Sequence, residues 1–191
     1  MAYKVATAPI IEPFTTAYVK TWLKIPSSVT VEDALLDDMI ISARVWAEQN
    51  SGRALLTQTI EEYRDCWPSC REFTLTLAPI QSVTSVSYMV GGSYVVWDPS
   101  NYNIDTVSEP CRIVPKYNVS VPTYDKLTPN AIKIIYVAGA TAATAIPGTI
   151  KDAMLQRIAY LYENREDIPI SQNSQPRLRS AAALLQTNRM L

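Results

Sequence analysis

The 191-residue chain contains no histidine. That absence removes Ser-His-Asp and Cys-His nucleophile activation, histidine metal clusters and imidazole acid-base chemistry together. Only five glycines are present. None of them falls into the G-x-G-x-x-G or G-x-x-x-x-G-K-[ST] spacing that cradles phosphates. Cysteine is equally sparse. Cys66, Cys70 and Cys111 form an odd set in a chain whose first residues lack the apolar run of a signal peptide, so they read as reduced thiols of a cytosolic setting. Cys66 and Cys70 bracket Trp67-Pro68-Ser69. Without histidine they fall short of the four ligands a structural zinc needs, and a turn between strands is the favoured reading. No apolar run is long enough to span a bilayer. No basic block exists either: the formal charge is −1 and the isoelectric point about 5.5. A protein that grips duplex DNA through its phosphates needs a strongly basic face. A wall that DNA slides past does not.

What the chain does have is 48% apolar and 18% charged residues, enough for one compact domain with a core of its own. The expected class is α+β, a helical bundle with an inserted antiparallel β-sheet or small open barrel. The reading divides the chain into residues 1–56, the N-terminal helical part of the core domain; 57–147, a β-rich insertion; 148–168, a helix completing the core domain; and 169–191, a linker and C-terminal segment. A short helix from Thr15 to Leu23 ends before Pro26, because a residue preceding proline is steered away from helical angles. Thr30 is positioned to cap a long helix from Val31 to Ser51. Leu35, Leu36, Met39, Ile40, Ala43, Trp46 and Ala47 recur in it at helical spacing, and Gly52 stops it.

From Thr57 to about Ile146 short alternating runs are broken by turn residues. Gly91-Gly92 between Val83–Tyr88 and Tyr94–Trp97 predicts a hairpin, and Asp98-Pro99-Ser100-Asn101 predicts a turn. Cys111–Val114 and Ala131–Val137 add later strands. After Pro147-Gly148, Thr149 is placed to cap a helix carrying Ile150, Met154, Ile158, Leu161 and Tyr162. Leu178 to Leu191 reads as a terminal helix too short to stand alone, to be ordered by this domain or by another subunit. Trp22, Trp46 and Tyr162 are expected in the core. Trp67, Tyr94, Trp97 and Tyr124, in loops or at strand ends, are candidate interface residues, together with Arg177, Arg179, Leu184, Leu185 and Arg189 of the C-terminal segment.

Several short stretches then occur in one order: Glu12-Pro13-Phe14-Thr15, Asp33-Ala34-Leu35-Leu36, Ala43-Arg44, Ser51-Gly52-Arg53-Ala54-Leu55 and Leu77-Ala78-Pro79-Ile80-Gln81-Ser82-Val83. They are followed by Tyr136-Val137-Ala138-Gly139, Ile146-Pro147 and Ala159-Tyr160-Leu161-Tyr162-Glu163-Asn164-Arg165-Glu166. In this order, from about Glu12 to Asp167, the chain resembles the head-tail connector (adaptor) family of tailed double-stranded DNA phages. The resemblance implies a non-enzymatic virion subunit without cofactor or metal, assembled in the host cytoplasm. About twelve copies would form a ring between the portal protein and a tail or stopper protein, with DNA passing through the channel without specific binding and no membrane involved.

The residues leave other readings open. A stopper or tail-completion protein would have the same character. A nucleic-acid-binding module would use Arg177 and Arg179 with nearby aromatics, against the near-neutral charge. An enzyme using Glu61, Glu62 and Asp65 would have to overcome strand alternation, which puts Glu61 and Glu62 on opposite faces. The cluster from Glu163 to Asp167 reads as a solvated helix end or an ion-pair network rather than a catalytic dyad. Arg44 and Arg53 flank the long helix and read the same way, as solvated or ion-paired groups, with a subunit interface or the central channel left open as what they line.

Overall fold

The computed structural model describes residues 2–68, 72–164 and 176–186, and side chains throughout these except at 176–180. The fold is α+β, with four α-helices and two open antiparallel sheets among the described residues. The chain divides into two compact units: Met1–Pro9 with Thr57–Gly139, and Ile10–Leu56 with Ala140–Leu191. The β-rich unit therefore takes in the N-terminal residues as well as the expected insertion, and it ends at Gly139.

In the β-rich unit, β1 (Ala2–Thr7), β2 (Gln58–Arg64), β4 (Ile80–Val90), β5 (Ser93–Val96) and β8 (Ile132–Ala138) form a five-stranded sheet in the order β1-β2-β8-β4-β5. A smaller sheet joins β3 (Phe73–Thr74), β7 (Arg112–Pro115) and β6 (Tyr102–Asp105) in the order β3-β7-β6. Alternation decides which face is core. On β2, Gln58, Ile60, Glu62 and Arg64 are buried, and on β8 Ile132, Ile134, Tyr136 and Ala138 are buried. The register pairs Ile60 with Tyr136 and Glu62 with Ile134, so one continuous row lies on one face. The predicted hairpin forms with Val90 opposite Ser93. Gly91 and Gly92 adopt φ of 59° and 78°, as a two-residue turn with both central residues left-handed requires.

The helical unit contains α1 (Thr16–Leu23), α2 (Asp33–Ser51), α3 (Gly148–Glu163) and α4 (Pro176–Gln186). Its core gathers Val19 of α1, Leu36, Ile40, Ala43 and Ala47 of α2, Ile150, Met154 and Ile158 of α3, and Ala181 and Leu185 of α4. Thr15 caps α1, its Oγ1 accepting from the Tyr18 amide at 3.3 Å. Gly52 ends α2 in the left-handed region as expected, its N–H reaching the Glu48 carbonyl at 2.9 Å. Two expected caps are not used. The Asp33 amide bonds to the backbone carbonyl of Thr30, a turn that delays α2 to Asp33, and α3 starts at Gly148 with Pro147 in the cap position. Both helices begin without a side-chain cap because packing of their apolar faces supplies the stabilisation.

Candidate interaction surfaces

Three of the four loop aromatics singled out in the sequence meet inside the β-rich unit. The Trp67 ring lies 5.0 Å from Phe73, 5.5 Å from Trp97, and 6.3 Å from both Tyr88 and Tyr124. Trp97 in turn lies 5.0 Å from Tyr102. Edge-on and tilted arrangements of this kind are favoured by the ring quadrupole. Trp97 is buried, with 4% of its surface exposed, which corrects its expected place at an interface: Tyr102 and Trp67 enclose it. The Trp67 indole donates Nε1–H to the Pro122 carbonyl at 2.9 Å. Trp67 and Tyr124 therefore fasten the long connection over residues 116–130 to the sheet.

That connection is held at further points. The Asp125 amide bonds to the Met89 carbonyl at 2.9 Å, Asp125 Oδ2 accepts from the Gly92 amide at 3.0 Å, and Asp65 Oδ1 accepts from the Asn130 amide at 2.8 Å. Tyr117, ahead of these anchors, and Leu127, between Asp125 and Asn130, stand fully exposed, at 99% and 102%. Leu127 has φ of 66°, a conformation uncommon for a bulky residue. Sequence reasoning missed both. The available signal was an apolar residue inside a run of Pro, Asn, Asp and Thr. A concavity of about 500 Å³ beside Leu127 is lined by Asp65, Cys66, Tyr124 and Lys126.

Tyr94, the fourth loop aromatic, lies on β5 and is partly exposed; its hydroxyl donates to the Asn130 carbonyl at 2.6 Å and Lys133 Nζ sits 4.8 Å from its ring centre. All four residues of β5 and all six of β1 are exposed. On the outer face Lys4 pairs with Glu61 at 3.0 Å, and the Tyr63 hydroxyl donates to Glu61 at 2.5 Å. The Tyr63 hydroxyl and the Lys4 ammonium together hold the Glu61 carboxyl below its ordinary range. Glu62 faces the opposite way and has no exposed surface. It accepts from Arg64 Nε at 3.0 Å and Nη2 at 2.6 Å, from the Thr76 amide at 3.0 Å and from the Tyr136 hydroxyl at 3.2 Å. Burial, and then the Glu62 charge, push the Tyr136 hydroxyl far above its ordinary value. Glu61 and Glu62 do not share a site, and each is absorbed by its own structural partners.

In the helical unit the structure places Arg44 in an ion-pair network. Arg44 is 5% exposed, with Nε and Nη2 on Glu12 at 2.8 and 3.1 Å and Nη1 on Glu48 at 3.1 Å. Glu48 Oε1 also accepts from the Leu55 amide at 2.9 Å. The segments Glu12-Pro13, Ala43-Arg44 and Arg53-Ala54-Leu55, which carry part of the sequence resemblance, are thus tied together at one ion cluster. Leu185 is fully buried in this unit's own core and Leu184 packs against it, so this helix packs on its own unit. Leu185 is corrected from an interface to a core residue, while Leu184 is only partly buried. The side chains of Arg177 and Arg179 lie outside the described residues, as do Arg189, Cys70 and residues 165–167. Trp46 and Tyr162 pack against the core as expected; Arg157 lies 5.5 Å from the Trp46 ring, and the Tyr162 hydroxyl donates to Glu32 at 2.7 Å. Trp22 does not: it is 45% exposed.

Cys66 and Cys111 are free, the first exposed and the second buried, and burial raises the Cys111 thiol to about 11. Among the described residues no group of three or more acidic, cysteine or histidine side chains is arranged to hold a metal ion. No described helix is long and apolar enough to cross a membrane. What the geometry presents is a scaffold with apolar surface at defined places.

These two units define the class of fold shared with chains of phage-like particle necks. The chain superimposes on one from the neck of an empty gene transfer agent particle, reconstructed with C6 symmetry, at a TM-score of 0.81 and 20% identity; the match covers 100% of this chain and 96% of that one. A chain of the native gene transfer agent virion matches at 0.78 and 19% identity, and one from the native particle's neck, reconstructed with C12 symmetry, at 0.76 and 20%, with the same coverage. No family model and no curated protein matches the chain.

Proposed function

We propose that this chain is a structural subunit of a virion neck, an adaptor that forms a ring, in about twelve copies, between a portal protein and the tail-side protein. The carrying observation is the fold match over the whole chain to particle-neck chains, which include reconstructions with C6 and C12 symmetry. The ordered sequence stretches running from Glu12 to Asp167 point to the same role. A near-neutral chain suits a channel wall that DNA crosses without sticking. The apolar residues left exposed on both units suit a protein that works through protein contacts. It acts without catalysis, cofactor or metal.

Removing the chain from a particle-producing cell tests this reading. DNA-filled heads without tails should accumulate, and adding the purified chain to those heads should restore tail joining. Complete tailed particles formed without the chain would overturn it.

A further inference from the structure

Among the described residues, two apolar strips on the helical unit stand about half-exposed. The first is on α1. Thr16 Oγ1 bonds to Asp37 and Lys20 Nζ pairs with Asp33, so this side of α1 faces α2. Tyr18 and Trp22 each stand two residues further on, about 200° round the helix. They point away from α2, 52% and 45% exposed, and Tyr18 stacks on Phe14 with ring centres 5.6 Å apart. The second strip is on α2. Asp33, Asp37, Ile41 and Val45 follow one another at four-residue spacing. α1 engages the two aspartates, whereas Ile41 and Val45 remain 41% and 38% exposed.

We infer that the Tyr18–Trp22 strip of one copy packs on the Ile41–Val45 strip of the next, and that this contact anchors lateral association of the chain. The inference rests on the ring reading above. A closed ring needs two unlike surfaces on each copy, since a self-complementary patch gives a dimer instead. These strips meet that requirement. One is aromatic and one β-branched aliphatic, neither includes a charged residue, each spans about one helical turn, or roughly 6 Å, and α1 separates them. A second protein would need only one of the two. Tyr and Trp are the residue types that dominate interface energies. Two half-exposed rings supply only part of the roughly 800 Å² per partner that a specific interface buries. They form its centre, and surrounding surface supplies the rest.

The test uses assembled particles that carry Trp22→Cys together with Val45→Cys in a chain whose Cys66 and Cys70 are replaced by serine. A short bismaleimide, followed by denaturing electrophoresis, should produce a ladder of covalent oligomers, with each single-cysteine variant losing the ladder. Trp22→Ala should weaken ring assembly by about tenfold or more, the scale of an interface hot spot, while leaving the thermal unfolding of the isolated chain unchanged. Rings visible by electron microscopy but without a ladder in the double-cysteine chain would overturn the inference and leave the ring reading intact. A covalent dimer from Trp22→Cys alone would overturn it in favour of a self-complementary strip. If the unsubstituted chain forms no ring at all, the underlying reading fails.

Discussion

Glu62 has no exposed surface, yet it carries a carboxylate whose bonds go to Arg64, the Thr76 amide and the Tyr136 hydroxyl. Replacing it by alanine leaves the nearly buried Arg64 guanidinium without its countercharge, a change that costs about 3–5 kcal/mol. A lowered urea midpoint of that size is expected; a change below about 1 kcal/mol would show that water reaches the site. Asp105 gives a case at the surface. The Ser108 hydroxyl and then Arg112, at 2.7 Å, hold its carboxyl far below the ordinary value. A depressed folded value contributes stability above the unfolded pKa of about 3.9 and loses it as pH falls through the folded one. Asp105→Asn should therefore lower Tm at pH 7, with the gap to the unsubstituted chain closing below about pH 4. Thiol labelling followed by peptide mapping should mark Cys66 in the folded chain at pH 8 and Cys111 only in denaturant, because burial keeps the latter protonated. The opposite faces of Glu61 and Glu62 were legible from the period of two. The partners of Glu62 were not, because Thr76 and Tyr136 lie 14 and 74 residues further along the chain.

Elements with their own periodicity and punctuation were legible. α2 with its Gly52 stop, the Gly91-Gly92 hairpin and the alternating β2 and β8 each carry a local signal that packing then reinforces. β1 carries none. All six of its residues are exposed, so no apolar alternation marks it, and its pairing partner Gln58–Arg64 is distant in sequence. β6 is four residues long and follows the Asp98–Asn101 turn directly, too short for a pattern to show. Trp22 was misplaced because helical spacing gives the face of a side chain but not what covers that face. α1 buries only Val19 and Lys20 fully. α4 shows the reverse: its alanines and leucines fit either a partner or this domain, and Ala181 and Leu185 turn out to sit in this domain's core. Leu185→Ala should then destabilise the isolated chain by about 2–5 kcal/mol, as cavity formation in a core does. An unchanged unfolding curve would mean that α4 is loosely docked.

At the scale of the molecule, the chain has the makings of a building block. Ionic residues pair with one another in both units, as at Glu12–Arg44–Glu48 and Asp105–Arg112. Exposed apolar residues stand on the edge strands, on the anchored loop and on helix strips, among other places. The sequence changes texture near Thr57, where the longer stretch of the β-rich unit begins. The return of the first nine residues to the β-rich unit was not legible in the sequence, since it depends on a pairing across α1 and α2. The whole-chain match to neck chains, at 20% identity, shows a shared fold. The most direct measurement is electron microscopy of the purified chain mixed with the portal of its own particle, beside the chain alone. The account predicts rings stacked coaxially on the portal. A chain that remains monomeric and leaves the portal bare would contradict it.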